Sequence, residues 1–446
     1  MSRRYFGTDG VRGRVGTQPM TAEFALRLAG AAARVLAPQG GRVLVGKDTR
    51  LSGYMFESAL EAGFVAAGVD VLLAGPLPTP GIAYMVQRLD CDFGTVISAS
   101  HNPYDDNGIK FFDRSGGKLA DELEEAIETQ LDQPAVTLES AALGRATRVD
   151  NERVQYQAFC ASTLPPGMTL DGLKLVIDCA NGAAYKVAPN VLADLGAEII
   201  PIGCSPNGRN INDGCGSTSP GLLKLTVSGV RADAGIGLDG DGDRLVMVDH
   251  LGRSLDGDQL LYVLARARLA AGELKGPVVG TVMSNLGLEL ALAELGVPFL
   301  RAAVGDRYVL QLLHAHGSVL GGETSGHLLC LDKTTTGDGL IVALQVLAIM
   351  KATGSTLAEL AVGMQKFPQQ MINVRVASRF DAGSDRGVTA AIARVEQALG
   401  RRGRVVLRAS GTEPVIRVMV EGEDAEAVAR HAATLADAVK AAAPAA

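Results

Sequence analysis

Three short loops and one strand junction hold the side chains whose types and spacing can do chemistry. In Asp239-Gly-Asp241-Gly-Asp243 the carboxylates fall at every second position, with glycines between them. Three anionic oxygens converge on one hard cation only where the backbone wraps tightly, which glycine permits. An EF-hand loop needs glycine at its sixth position and glutamate at its twelfth, and here those positions are Arg244 and His250. Calcium-sensor chemistry is therefore excluded, and magnesium fits, with a phosphate oxygen and water completing its shell. A solvated acidic turn is the competing account, set against the repulsion of crowded carboxylates that nothing neutralises.

In the second loop an apolar run, Phe93 to Ile97, breaks into Ser98-Ala-Ser100-His101-Asn-Pro103. Proline cannot continue a sheet or helix, so Ser100 and His101 stand at a strand's carboxyl end, where open α/β sheets bind ligands. Ser100, with His101 beside it and Lys110 further on, is a candidate nucleophile or phosphoryl carrier. An ordinary turn with a helix-capping serine accounts for the same residues.

The third loop, Gly321-Gly-Glu323-Thr-Ser325-Gly-His327, sets a carboxylate, a hydroxyl and an imidazole on permissive backbone, suited to reading sugar hydroxyls. Arg408-Ala-Ser410-Gly411-Thr412-Glu413-Pro-Val-Ile-Arg417 joins two apparent strands. Its two arginines, two hydroxyls and free glycine amide can surround a phosphate, because guanidinium forks bind phosphate oxygens in pairs. A solvated hairpin is the alternative. Near the start, Phe6-Gly-Thr-Asp-Gly10-Val-Arg12-Gly13 offers one cation, Arg12, to an anion.

Gly235-Ile-Gly237-Leu-Asp-Gly240 satisfies the dinucleotide-binding spacing, but that fingerprint must open a helix. Arg244-Leu-Val-Met-Val248 follows it and reads as a strand. The match is accidental.

These loops need elements to position them. A chain of 446 residues suggests three or four domains. A net charge of −7, no basic blocks and no tryptophan argue against nucleic acid as a partner. The longest apolar run, Leu340 to Met350, contains Gln345 and is too short for a bilayer, so it reads as a buried helix. No signal-peptide pattern opens the chain, and the expected setting is the cytoplasm, with no membrane partner. Six scattered cysteines without zinc spacing read as reduced core thiols.

One pattern occurs three times: a strand into a polar loop and helix, a second strand, then a third strand ending in an unusual loop. The strands are Val43–Val45, Val71–Leu73 and Thr95–Ile97; Leu175–Ile177, Glu198–Ile200 and Ala234–Ile236; Val278–Gly280, Phe299–Leu300 and Ser318–Leu320. Strands alternating with helical patterns predict βαβ units. The expected architecture is α/β, with four domains around a central cleft. Three are related α/β domains with mostly parallel mixed sheets (1–150, 151–252 and 253–367), and a smaller α+β domain (368–446) follows, with strands at Met371–Val376, Arg404–Leu407 and Pro414–Val420 and a helix at Ala425–Ala442.

Taken in order, Phe6–Gly13, Gly46-Lys-Asp-Thr-Arg-Leu-Ser-Gly53, Ile97–Phe112, Asp239–Arg244, Gly321–His327 and Arg408–Arg417 resemble the motifs of the α-D-phosphohexomutases over essentially the whole chain. The resemblance implies that a phosphorylated Ser100 exchanges its phosphoryl group with a hexose phosphate through a 1,6-bisphosphate. It implies that Ser100, Asp239, Asp241 and Asp243 hold one Mg2+, and that Glu323 and Ser325 touch sugar hydroxyls. Arg408, Ser410, Gly411, Thr412 and Arg417 match the clamp on the non-reacting phosphate. Arg12, Lys110, Arg244 and His327 stand where the family puts charge stabilisers or proton-transfer groups, and His101 joins the substrate contacts. Glucosamine 6-phosphate is the substrate favoured by the opening motif and by Tyr104–Lys110, feeding UDP-N-acetylglucosamine and cell-wall precursors. Glucosamine or glucose 1,6-bisphosphate would serve as primer, and a kinase or autophosphorylation would load Ser100. The oligomer is a monomer or homodimer. A phosphomannomutase or phosphoglucomutase with the same mechanism, a magnesium phosphatase and a non-catalytic sugar-phosphate sensor are the alternatives. Thr324 departs from the family, where a longer polar residue is expected.

Overall fold

In the computed structural model, which describes residues 4–135, 137–377, 380–409 and 414–443, the three loops each close a sheet of one shared plan. The first sheet contains β1 (Val11–Arg14), β2 (Gly41–Lys47), β3 (Val69–Pro76), β4 (Phe93–Ile97), β5 (Asp106–Asp113) and β6 (Ala146–Arg148). Its order is β1-β5-β4-β2-β3-β6, parallel from β4 through β2 and β3 to β6 and antiparallel at β5 and β1. The second comprises β7 (Lys174–Asp178), β8 (Glu198–Ile202), β9 (Ala234–Leu238), β10 (Leu245–Asp249) and β11 (Ser254–Leu255), in the order β11-β10-β9-β7-β8. The third comprises β12 (Val278–Thr281), β13 (Phe299–Ala302), β14 (Leu320–Gly322) and β15 (Leu328–Cys330), in the order β13-β12-β14-β15.

Set side by side, β3-β2-β4-β5, β8-β7-β9-β10 and β13-β12-β14-β15 are the same arrangement. Each has three parallel strands, and the third turns back into an antiparallel fourth. The Ser100 loop, the three-aspartate loop and the Glu323 loop are those three reversals. The repeat read from the sequence is thus real, and its special loops are equivalent by topology. Both β4 and β9 are buried at every residue, as strands covered on two faces must be.

The fourth sheet, β16 (Gln369–Arg375), β17 (Gly403–Ala409) and β18 (Val415–Gly422), is antiparallel in the order β16-β18-β17. The helices Arg386–Leu399 and Ala425–Ala442 pack on it and form a core of their own. The helix Gly339–Thr353 buries its apolar run against β9, β10 and β15 and against the helix Glu152–Ser162. One continuous apolar core therefore runs through the first three units. All six cysteines are free thiols, and five are buried. Among the described residues, no helix is long and apolar enough to cross a membrane.

Candidate active site

Ser100 leaves β4 in the left-handed region, at φ 52°, which lifts its side chain out of the strand direction. Its Oγ donates to Asp239 Oδ2 at 2.5 Å and lies 3.3 Å from His101 Nδ1, so the first and second special loops meet at this hydroxyl. Two side chains that sequence reasoning did not single out hold the loop there. The buried guanidinium of Arg50 donates to the carbonyls of Ser100 (3.2 Å) and Asn102 (2.6 Å). The Asn212 amide, from the second unit, donates to the same two carbonyls at 2.9 Å each. Arg50 is itself paired with Asp48, which accepts from Ser98 Oγ at 2.6 Å, and Ser98 Oγ in turn accepts the Ser100 amide at 2.9 Å.

Asn212 adopts φ 59°, a conformation that glycine takes without strain. Asn212→Gly therefore removes the two hydrogen bonds and spares the backbone. We expect kcat to fall about tenfold through misplacement of the Ser100 hydroxyl, with KM nearly unchanged, in steady-state kinetics. An unchanged kcat would remove Asn212 from the positioning role.

The aspartate loop is built for close approach. A Cβ on Gly240 would come within 2.6 Å of the Ser100 carbonyl, and Gly242 sits at φ 75°. Asp239, Asp241 and Asp243 are buried, and each offers an oxygen within 4.8 Å of the others. Asp241 Oδ1 and Asp243 Oδ1 are buried without a hydrogen-bond partner among the described residues. Orphaned anionic oxygens facing one another are what a divalent cation satisfies, so these residues fit one. Burial, and then the charges of Asp243 and Asp241, push the Asp239 carboxyl well above the usual carboxylate range. Burial acts the same way on Asp243, but Lys110, His327 and Arg244 outweigh it and hold that carboxyl low.

Lys110 is the counter-charge. Its Nζ stands 2.8 Å from Asp241 Oδ2, 2.9 Å from Asp9 Oδ2 and 3.5 Å from Asp243 Oδ2. Burial opposes its charge, but these three carboxylates more than offset burial and raise its pKa. Thr79 adds a hydrogen bond to Asp241 Oδ2 at 2.7 Å. Behind Lys110, Lys118 bridges Asp9 (2.6 Å) and Asp306 (2.5 Å). Thr79, Lys118 and Asp306 also escaped sequence reasoning, and Asp9 was given no role within its motif.

Beside this cluster opens a cavity of about 480 Å³ lined by Asp9, Arg12, His101, Asp243, Arg244, Glu323 and His327, among others. Arg12 pairs with Asp9, yet Arg12 Nε and Arg244 Nε are both buried without a hydrogen-bond partner among the described residues. Two guanidiniums with donors to spare suit an anionic ligand. His327 Nε2 is 3.3 Å from Asp306 Oδ2 and its Nδ1 is 3.7 Å from Asp243 Oδ2. Burial lowers its pKa, but Asp243 and Asp306 win and raise it to about 9. Burial, then Arg244 and Arg12, bring His101 down to about 4, so at neutral pH it is uncharged.

Glu323 lines the cavity and accepts the Gly305 amide at 2.9 Å. Ser325 does not line it and is exposed. Thr324 turns the other way, donating to the buried Asp258 at 2.8 Å. Burial and the nearby Asp256 raise the Asp258 carboxyl to about 6. A carboxyl raised in the folded state binds its proton more tightly there than when unfolded. Stability therefore falls as pH rises from about 4 to about 6 and stays reduced above, by up to about 3 kcal/mol. Asp258→Asn is expected to raise the melting temperature at pH 7.5 and to lose that advantage near pH 4. Thermal unfolding at the two pH values checks this, and an equal shift at both refutes the burial account.

Arg408 on β17 stands directly opposite Arg417 on β18. Burial, then the charge of Arg417, lower the Arg408 pKa, and Glu323 is close enough to counteract them. The fourth sheet thus brings Arg408 towards the Glu323 loop. Ser410, Gly411 and Thr412 lie outside the described residues.

The four units that carry the Ser100 loop, the carboxylate triad, the Glu323 loop and the arginine pair each match a domain of the phosphoglucomutase/phosphomannomutase family. Its alpha/beta/alpha domain I matches residues 3–136, domain II 162–252, domain III 256–367 and the C-terminal domain 371–438. The chain belongs to this family. Within it, a Thiobacillus denitrificans protein named phosphoglucosamine mutase is 57% identical over 453 residues, covering 100% of this chain and 99% of its own. A Chromobacterium violaceum protein of the same name is 60% identical over 430 residues, 95% of this chain and 96% of its own. Among solved structures, the Aspergillus fumigatus N-acetylphosphoglucosamine mutase in complex with GlcNAc-6P and magnesium has a TM-score of 0.69 at 20% identity, covering 99% of this chain and 96% of that one. At that identity it bears on the fold alone.

Proposed function

We propose that the protein is a phosphoglucosamine mutase, interconverting glucosamine 6-phosphate and glucosamine 1-phosphate through a phosphoserine at Ser100. The observation that carries the reading is the Ser100 hydroxyl, hydrogen-bonded to Asp239 of a buried carboxylate triad beside a cavity lined by two arginines whose Nε donors have no partner among the described residues. The full-length relatives named phosphoglucosamine mutase support glucosamine as the sugar.

In the forward direction the bond from Ser100 Oγ to phosphorus breaks and one from the sugar 1-oxygen to phosphorus forms, while the proton of the 1-hydroxyl ends on Ser100 Oγ. The 1,6-bisphosphate then turns over, its 6-phosphoryl group passes to Ser100 Oγ, the serine proton ends on the sugar 6-oxygen, and glucosamine 1-phosphate leaves. Arg408 and Arg417, with Ser410, Gly411 and Thr412, hold whichever phosphate is not reacting, which makes the two half-reactions equivalent. Arg12, Lys110, Arg244 and His327 hold positive charge around the moving phosphoryl group, where catalysis is mostly positioning and charge neutralisation. Glu323 and His101 orient the sugar from the cavity wall, and Ser325 reaches it only from the exposed end of its loop. Asp239, Asp241, Asp243 and Ser100 would hold one Mg2+. When bound, that ion withdraws charge from the serine ester oxygen. The unpartnered oxygens of Asp241 and Asp243 within that buried cluster support a hard divalent cation here. The same reading divides the chain at 150, 252 and 367 and places glucosamine 1,6-bisphosphate or its glucose counterpart as primer.

The test is interconversion of glucosamine, glucose and mannose phosphates, with magnesium and a trace of bisphosphate. Fast turnover of glucosamine phosphate supports the reading. Turnover only on glucose or mannose phosphate keeps the chemistry and changes the substrate, whereas binding without turnover would mark a sensor.

A further inference from the structure

The fourth sheet carries a second charged pair that phosphate binding does not use. Arg404 faces Glu421 across β17 and β18, four residues along each strand from the Arg408 and Arg417 pair. Residues four apart on a strand share a face, roughly 13 Å apart. Glu421 is fully buried. Its Oε2 accepts Arg404 Nε at 2.6 Å, and its Oε1 accepts the amide of Leu286 at 3.1 Å, at the start of the helix Leu286–Glu294 in the third unit. The rest of the Arg404 guanidinium crosses the same boundary, donating to the carbonyls of Val282 at 2.8 Å and Ser284 at 2.5 Å.

That turn, 281–285, is a junction. Asn285 exchanges two hydrogen bonds with the main chain of Phe367, where the chain passes into the fourth unit: Phe367 N to Asn285 Oδ1 at 2.9 Å, and Asn285 Nδ2 to Phe367 O at 3.0 Å. The Asn285 main-chain N–H donates to Asp258 Oδ2 at 2.8 Å, the oxygen that also accepts from Thr324 of the sugar-reading loop. Clamp sheet and crossing point are therefore bonded to one five-residue turn, and the sugar loop is joined to it through Asp258.

We propose that Arg404 and Glu421 form a latch on this turn that sets the aim of the Arg408 and Arg417 clamp relative to the sugar-reading loop, making Arg404 a positioning residue for the reaction. The proposal rests on the mutase reading above. A bisphosphate must be held at one phosphate while the other meets Ser100, and it must be held again after turning over. An unlatched clamp grips both ground states loosely and lets the bisphosphate escape. Arginine is required because one planar fork reaches a carboxylate and two carbonyls at once, which a single ammonium does not.

The test uses the full-length enzyme with Arg404→Lys and Glu421→Gln. KM for glucosamine 6-phosphate is expected to rise roughly tenfold, with kcat changed less than about threefold. Bisphosphate released per turnover should rise, and amide exchange at Leu286 should accelerate. Arg404→Lys should be the milder of the two, because it keeps the charge beside Glu421. Faster exchange at Leu286 with unchanged KM and unchanged bisphosphate release overturns the latch, as does a fall in kcat alone, the mark of a general structural defect. If one variant does not fold, the other decides. Should the wild-type enzyme fail to turn over glucosamine phosphate, the substrate reading falls. The latch is then decided by Leu286 exchange and by calorimetric affinity for the hexose phosphate that is turned over.

Discussion

Ser100→Ala is expected to lower turnover by about four orders of magnitude or more, the scale seen when a covalent carrier is removed, while phosphosugar affinity stays within a few-fold. Alanine adopts the same backbone as serine at φ 52°, and Arg50 and Asn212 bind main-chain carbonyls, so the loop keeps its place. The loss to stability is one hydrogen bond to Asp239, about 1 kcal/mol. Three measurements bear on it: kcat, substrate affinity by calorimetry, and intact mass, where a phosphate-sized excess on the wild type must vanish in the variant. Normal turnover by the alanine variant would end the phosphoserine assignment.

The second large effect concerns the triad. Asp241→Asn keeps the shape of the side chain and removes one of three negative charges. Lys110 retains Asp9 and Asp243 as partners, so the fold tolerates the change. Metal affinity should weaken about 10- to 100-fold, and turnover at saturating magnesium should fall by roughly 10²-fold. Activity titrated against magnesium, with binding followed separately by calorimetry, checks both. A titration superimposable on wild type would mean that Asp241 is no ligand.

The three special loops were legible because their chemistry is contiguous in the chain. Alternating carboxylates, a serine at a strand end and a glycine-rich run with a carboxylate, a hydroxyl and an imidazole each announce themselves within about ten residues. The threefold plan was legible for a related reason, since apolar strands of a covered sheet stand out against polar loops. What the sequence could not convey was assembly. Arg50 and Asn212 reach the Ser100 loop from elsewhere in the chain, Asn212 from 112 residues away, and no local spacing encodes such a contact. Asp9 was visible in its motif, but only the fold shows it standing between Lys110 and Lys118. Ser325 stands exposed on the reversal between β14 and β15, a position its place in the motif did not convey. Thr324, the departure from the family pattern, proves to be anchored to Asp258.

The continuous core has a consequence for how such a chain can change. The first three units are copies in topology, yet the helix Gly339–Thr353 is wedged among strands and a helix from its neighbours. None of the three can be excised, exchanged or duplicated without opening apolar surface on the others, so their likeness survives in shape and not in modularity. The fourth unit closes its own core, and it alone remains a separable part.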